Sequence, residues 1–118
     1  MTNAEVNCIS YVAHRMGFVN NEHFIPPPSL NEVMAVHDKV ADLQSAEVVG
    51  VVRAGGNDYH NGPTVCHMAM VEPDGTLSHR KEFGAEITRE PFSEGLEYYL
   101  KHSELFEIMY LARKARGE

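Results

Sequence analysis

The sequence predicts an α+β domain in which N-terminal helices pack on a mainly antiparallel sheet of about five strands. Three observations support this fold class. Helix-capping patterns with helical apolar spacing come first in the chain, and short β-branched runs follow them. The turn sequence Pro73-Asp74-Gly75 is short enough to join two of those runs as an antiparallel hairpin.

The first helix is expected to begin between residues 3 and 8 and to end at Gly17. Thr2 with Glu5 fits a capping box, whereas Asn7 is a second candidate N-cap, so the first turn has two possible starts. Apolar residues recur within the helix at three- and four-residue spacing, and they form a stripe that would pack on a core: Val6, Ile9, Val12, Ala13 and Met16.

A second helix is expected over roughly residues 30 to 43, because Ser29 with Glu32 repeats the capping-box pattern after three prolines. A short helix is expected at residues 93 to 100. Five β-branched runs are predicted to form the strands of the sheet: residues 47–53, 64–71, 76–80, 85–88 and 105–112.

Length and composition indicate a single domain spanning residues 1–118. A chain of 118 residues is close to the usual size of one domain, and its hydrophobic fraction of 43% is that of an ordinary globular protein. Ten Lys and Arg against seventeen Asp and Glu give a net charge of −7, the wrong sign for binding phosphate backbones or anionic lipids. We therefore expect no nucleic-acid partner, and the sequence leaves the oligomeric state open.

Residues 1–10 lack the basic stretch and apolar run of a secretory signal, and no segment reaches the roughly 18 apolar residues of a membrane helix. The sequence as written is thus expected to be cytoplasmic and not inserted in a membrane. Reaching the cell envelope would require another export route. In a reducing compartment, Cys8 and Cys66 are expected to remain free thiols.

Cys8 occupies a position that suits a nucleophile. A thiol attacks carbonyl groups as the thiolate, and a positive helix end together with an imidazole partner promotes that form. If Asn7 is the N-cap, Cys8 opens the helix, where the dipole favours an anion and free N–H groups can stabilise an oxyanion. If Thr2 is the cap, Cys8 lies deeper in the helix and this advantage is smaller.

Two histidines complete a candidate catalytic set with the cysteine. In the second predicted strand, His67 shares one face with Ala69, a small residue that would let the first helix approach closely. The alternation places Cys66 on the opposite face with two methionines, where it would serve core packing. His79 lies twelve residues after His67, beyond the turn, where it could fix the tautomer and orientation of His67 as a third triad member.

These residues resemble the NlpC-type cell-wall peptidases, which are papain-like cysteine peptidases. In that family an Asp-Cys-Ser-Gly-Phe segment opens a helix, a His-Val-Gly-Ile strand supplies the base, and a further His follows twelve residues later. The resemblance implies a papain-like fold with Cys8 as nucleophile, His67 as base and His79 as its orienting partner. Three segments carry it: Asn7-Cys8-Ile9-Ser10-Tyr11-Val12, His67-Met68-Ala69-Met70-Val71 and Leu77-Ser78-His79.

The first functional hypothesis is a cysteine peptidase or amidase that cleaves an amide bond through a thioester acyl-enzyme. The resemblance implies peptidoglycan peptides as its substrate class. His60 and Tyr59, in the loop before the base strand, are candidate substrate-binding residues. We expect no cofactor and no metal, since the other histidines show neither HExxH spacing nor a paired-cysteine motif.

The second hypothesis is a catalytically inactive papain-like module that binds or builds structure, for example in a phage particle or a toxin complex. Ile9 and Ser10 stand where the family has Ser-Gly, and the short segment before Cys8 lacks the family's upstream tyrosine, which favours this alternative. An acyltransferase of related fold is less favoured, because such relatives usually place the histidine before the cysteine in the chain.

Overall fold

One antiparallel sheet of six strands, in the order β1-β6-β2-β3-β4-β5, organises the fold. The computed structural model describes residues 7–20, 22, 25–55, 62–81 and 86–114. The elements in chain order are α1 (Cys8–Arg15), α2 (Leu30–Met34), β1 (His37–Lys39), a 3-10 turn (Leu43–Ser45), β2 (Val48–Arg53), β3 (Thr64–Val71), β4 (Leu77–Arg80), β5 (Ile87–Glu90), α3 (Phe92–Gly95), α4 (Glu97–Lys101) and β6 (Phe106–Arg113).

The predicted α+β class and the antiparallel sheet are confirmed. All five predicted strands are present, and β3 has the predicted bounds. The predicted helix at 93–100 is divided into α3 and α4, which meet at Leu96. The helices are short, and none in the described part of the chain is long and apolar enough to span a membrane.

The predicted second helix over residues 30–43 is wrong beyond its first turn and a half. Helix α2 ends at Met34, and the next residues form the edge strand β1, which pairs with β6 through His37 and Arg113. The N–H of Val40 donates to the carbonyl of Tyr110 at 2.8 Å, which continues this pairing. Hydrogen bonding to a distant strand therefore overrides the local helical pattern.

Two apolar clusters cover the two faces of the sheet. On one face, Ile9 and Val12 of α1 pack with Met68 of β3 and with α2. On the other, Leu96 packs with Ala69 of β3, and the aromatic residues around α3 and α4 border this cluster. Burial of these side chains gives each helix its fixed position on the sheet.

Candidate functional site

Cys8 is the first residue of α1, as expected if Asn7 is the N-cap. The side-chain oxygen of Asn7 accepts a hydrogen bond from the Ser10 N–H at 2.8 Å, and the Ser10 hydroxyl accepts one from the Asn7 N–H at 2.8 Å. The Asn7 amide also donates to the carbonyl of Ile25 at 2.8 Å, which ties the helix start to the chain before α2. The alternative cap, Thr2, lies outside the described residues. This reciprocal capping fixes Cys8 at the positive end of the helix.

A polar network on β4 holds the body of α1. The Tyr11 hydroxyl is hydrogen-bonded to the Ser78 hydroxyl at 2.9 Å, and Arg15 donates to Tyr11 at 2.6 Å. Arg15 also pairs with Glu72 at 3.0 Å, and the Ser78 hydroxyl donates to the same carboxylate. Tyr11 and Ser78 are buried, so these bonds fix the position of α1 against the strand that carries His79.

The expectation that α1 approaches the Ala69 face of β3 is wrong. The apolar stripe of α1 packs against Met68 on the opposite face, because Leu96 already covers Ala69. Cys8 instead interacts with the backbone of β3. The N–H of Met68 is hydrogen-bonded to the Cys8 thiol and acts to lower its pKa. The helix start therefore lies against β3 at Met68, the residue next to His67 in sequence.

A register shift in β3 changes the predicted position of Cys66. Val51 of β2 pairs with His67 and Val52 pairs with Val65, so Cys66 is the extra residue of a bulge. Its side chain packs with the Ala69 and Leu96 cluster rather than with the methionines. The predicted placement of Cys66 on the methionine face is therefore wrong, because the bulge interrupts the alternation.

Strands β3 and β4 pair at only two positions before they separate. The pairs are Met70 with Ser78 and Val71 with Leu77, after which β4 continues along β5, where His79 pairs with Thr88. Across this separation the structure brings the two predicted histidines together. Their side chains are 2% and 0% exposed, and Nε2 of His67 lies 2.7 Å from Nδ1 of His79.

A carboxylate that the sequence did not single out extends this pair. Nε2 of His79 lies 3.1 Å from Oε2 of Glu90, at the end of β5. Lys81 contacts both carboxylate oxygens, at 3.0 Å from Oε1 and 2.8 Å from Oε2. Burial acts to raise the pKa of Glu90, but hydrogen bonds from Lys81 and His79 and electrostatic interaction with both residues outweigh it and lower the pKa, which keeps Glu90 ionised. The site therefore contains a chain from His67 through His79 to a carboxylate.

An aromatic ring covers His67 from α4. The Tyr99 ring is stacked on the imidazole with 5.4 Å between centroids. Burial, and then electrostatic interaction with Cys66 and Cys8, raises the pKa of Tyr99. The phenol therefore stays neutral.

A cleft of about 350 Å³ opens beside His67, lined by the tyrosines of α4 and by charged residues. Tyr98 and Tyr99 supply its aromatic part, and Lys81 and Glu97 are among its charged residues. Of the proposed nucleophile and base, only His67 lines this cleft. A substrate in the cleft would therefore meet the imidazole directly.

Burial dominates the acid–base properties of Cys8 and His67. It raises the pKa of the Cys8 thiol, although the N–H groups of Met68, Ile9 and Cys8 itself act to lower it. Burial, followed by the nearby His79 and Lys81, lowers the pKa of His67 to about 3. The resting site thus holds a neutral thiol and a neutral imidazole. Within the described residues, no hydrogen bond joins the thiol to either imidazole.

The other thiol is less suited to nucleophilic chemistry. Burial raises the pKa of Cys66 to about 11, and its Sγ donates to the carbonyl of Val51 at 3.4 Å. Both cysteines are free thiols, as expected. The candidate substrate-binding residues Tyr59 and His60 lie outside the described residues, and within the described ranges no group of three or more His, Cys, Asp or Glu is arranged to hold a metal ion.

No family model, no curated protein and no solved structure matches this chain. The described parts of the site are a thiol at a capped helix start, a hydrogen-bonded pair of buried imidazoles, and an ionised carboxylate behind them. A thiol, an imidazole and a carboxylate are the types of group that nucleophilic catalysis uses.

Proposed function

We propose that this protein is a cysteine hydrolase, a peptidase or amidase of papain-like type, in which Cys8 is the nucleophile, His67 the base and His79 its orienting partner. The observation that carries the proposal is the 2.7 Å contact between His67 Nε2 and His79 Nδ1, buried beside the strand backbone that Cys8 faces. A thiol at a helix start and a base held by a second group are the components that acyl transfer by a cysteine hydrolase requires.

In the proposed reaction the Cys8 thiol loses its proton to Nδ1 of His67 as the sulfur attacks the amide carbonyl. A C–S bond forms, and the carbonyl oxygen becomes an oxyanion that the N–H groups at the start of α1 can stabilise. The intermediate then expels the amine, which takes the proton from His67. Water, activated by His67, hydrolyses the thioester and releases the acid.

Peptides of the bacterial cell wall are the proposed substrate class, and their support is the resemblance to NlpC-type peptidases. The assay is incubation with purified peptidoglycan fragments followed by mass spectrometry. Cleavage should disappear in Cys8→Ala and persist in Cys66→Ala, the matched control that removes the other described thiol. Cleavage by Cys8→Ala equal to wild type would refute the proposed nucleophile.

The role of His67 is tested by alkylation of Cys8 with iodoacetamide in a Cys66→Ala background, so that the label reports one thiol. General-base assistance contributes about 10²–10⁴-fold to proton transfer. We therefore expect the labelling rate at pH 7.5 to fall by at least about tenfold in His67→Gln. Equal rates with and without the histidine would exclude the proposed base.

A second candidate function is an inactive papain-like module that binds a partner without turnover. The specific observation in its favour is that burial raises the pKa of Cys8 and lowers that of His67, so both groups favour their uncharged forms. The fragment assay separates the two functions. Fragments recovered intact, but retained by wild type and Cys8→Ala alike in equilibrium dialysis, would identify the binding module.

A further inference from the structure

The carboxylate behind the two histidines determines where their protons lie. An ionised carboxylate has only acceptors, so the 3.1 Å contact with Glu90 Oε2 requires that Nε2 of His79 carries a proton. A neutral imidazole has one N–H, and Nδ1 of His79 is then an acceptor. The 2.7 Å contact with His67 must therefore be an N–H donated by Nε2 of His67.

The same proton count leaves one atom of His67 available as a base. With its single proton on Nε2, neutral His67 has a lone pair on Nδ1. His79 is neutral because burial, which outweighs the opposing effect of Glu90, lowers its pKa. The Glu90 carboxylate fixes the proton on His79, and His79 in turn fixes the proton on His67. The position of the His67 proton therefore depends on Glu90, which does not contact His67.

We propose that Glu90 is a positioning residue, which fixes the tautomer of His79 and through it directs the lone pair of His67 Nδ1 toward the reaction. The assignment of His67 as the base rests on the proposed function. The assignment of the two tautomers does not, since it follows from the hydrogen-bond geometry together with an ionised Glu90 and a neutral His79. Glu90 touches neither the thiol nor the proposed reacting atoms, and it acts only through the imidazoles.

Lys81 holds the Glu90 carboxylate in place. Its ammonium contacts both oxygens of Glu90, and the oxygen it approaches most closely, at 2.8 Å, is the one that also accepts from His79. In Glu90→Gln, the carboxamide oxygen would therefore take this shared position, because the amide N–H₂ cannot accept from either donor. That variant should preserve the tautomers, whereas Glu90→Ala removes the acceptor.

The experiment is a two-bond ¹H–¹⁵N correlation spectrum of the imidazoles at pH 7.5, with His67 and His79 assigned by His67→Gln and His79→Gln. We expect the wild-type protein to show both rings as single Nε2–H tautomers. Glu90→Gln and Lys81→Met should keep this pattern, because an acceptor for His79 remains in each. Glu90→Ala should give a mixture in which His67 Nδ1 is partly protonated.

Two results would overturn the inference: a wild-type His67 protonated on Nδ1, which needs no variant to observe, or an unchanged spectrum in Glu90→Ala. In the cleavage assay, kcat/KM should fall at least about tenfold in Glu90→Ala and stay within about threefold in Glu90→Gln. If the tautomers are as expected but wild type cleaves no fragment, the tautomer assignment stands and the proposed cleavage of cell-wall peptides is refuted.

Discussion

Replacing His67 with glutamine should make the stability of the protein less sensitive to acid. The His67 side chain is 2% exposed, and its pKa is about 3 in the folded protein, against about 6.5 in an unfolded chain. Between pH 6.5 and pH 3, His67 is therefore protonated in the unfolded state but not in the folded state. The free energy of unfolding is therefore unaffected by His67 protonation above pH 6.5, and it decreases as the pH falls from 6.5 toward 3.

The size of the effect follows from the pH interval. Each pH unit between the two pKa values costs about 1.4 kcal/mol, so lowering the pH from 6.5 to 4.5 should cost about 3 kcal/mol through His67. Other titrating groups also change over this range, and His37 and His79, whose pKa values burial lowers, act in the same direction. Groups distant from His67, such as His37, contribute equally in wild type and variant, so the difference between the two proteins reports His67 and its contact with His79.

The assay is urea unfolding at pH 7.5 and pH 4.5, followed by far-UV circular dichroism because the chain has no tryptophan. Glutamine is a suitable replacement, since its amide can still donate to His79 Nδ1. The free energy of unfolding should fall by about 3 kcal/mol more in wild type than in His67→Gln. An equal loss in the two proteins would show that His67 is not held neutral by burial.

Three further predictions concern the elements that position the site. Ser78→Ala removes the buried partner of the Tyr11 hydroxyl and should lower the free energy of unfolding by about 1–3 kcal/mol, measured by urea titration. Asn7→Ala should cost about 1–2 kcal/mol through the lost cap and slow Cys8 alkylation, whereas Asn7→Ser should recover most of the loss. An added Cβ at Gly95 would lie 3.5 Å from His79 Nε2, an ordinary contact, so Gly95→Ala should be tolerated while Gly95→Leu costs about 1–3 kcal/mol by thermal unfolding. Equal stability of wild type and Ser78→Ala, equal alkylation in Asn7→Ala, or equal stability of the two Gly95 variants would contradict the respective prediction.

The features that local sequence determines were predictable. The Asn7 cap depends on a side chain and a backbone N–H that lie three residues apart in the sequence. Strand β3 depends on a β-branched run with clear ends. The closeness of His67 and His79 was also predictable. A short turn with Gly75 at a φ of 86° fixes the hairpin, and the hairpin places residues twelve apart on neighbouring strands.

Features set by distant pairing could not be predicted in the same way. His37–Lys39 is a strand because β6, more than 60 residues away, supplies its hydrogen-bonding partners. The bulge at Cys66 has no local signal, and the period-2 rule fails at the residue where the ladder shifts. Glu90 reaches His79 only through the register of β4 against β5, which the sequence does not encode in any short motif.

Burial affects the pKa values of Cys8 and His67 more than the position of Cys8 at the start of α1 does. Three backbone N–H groups act to lower the thiol pKa, yet burial raises it, and the same burial disfavours a charged His67. A resting thiolate–imidazolium pair would oppose both shifts. In the proposed hydrolase, proton transfer to His67 Nδ1 therefore accompanies C–S bond formation, so that the negative charge develops on the substrate oxygen rather than on sulfur. The N–H groups around Cys8 then stabilise this oxyanion, and Glu90 serves the same step by leaving His67 Nδ1 without a proton.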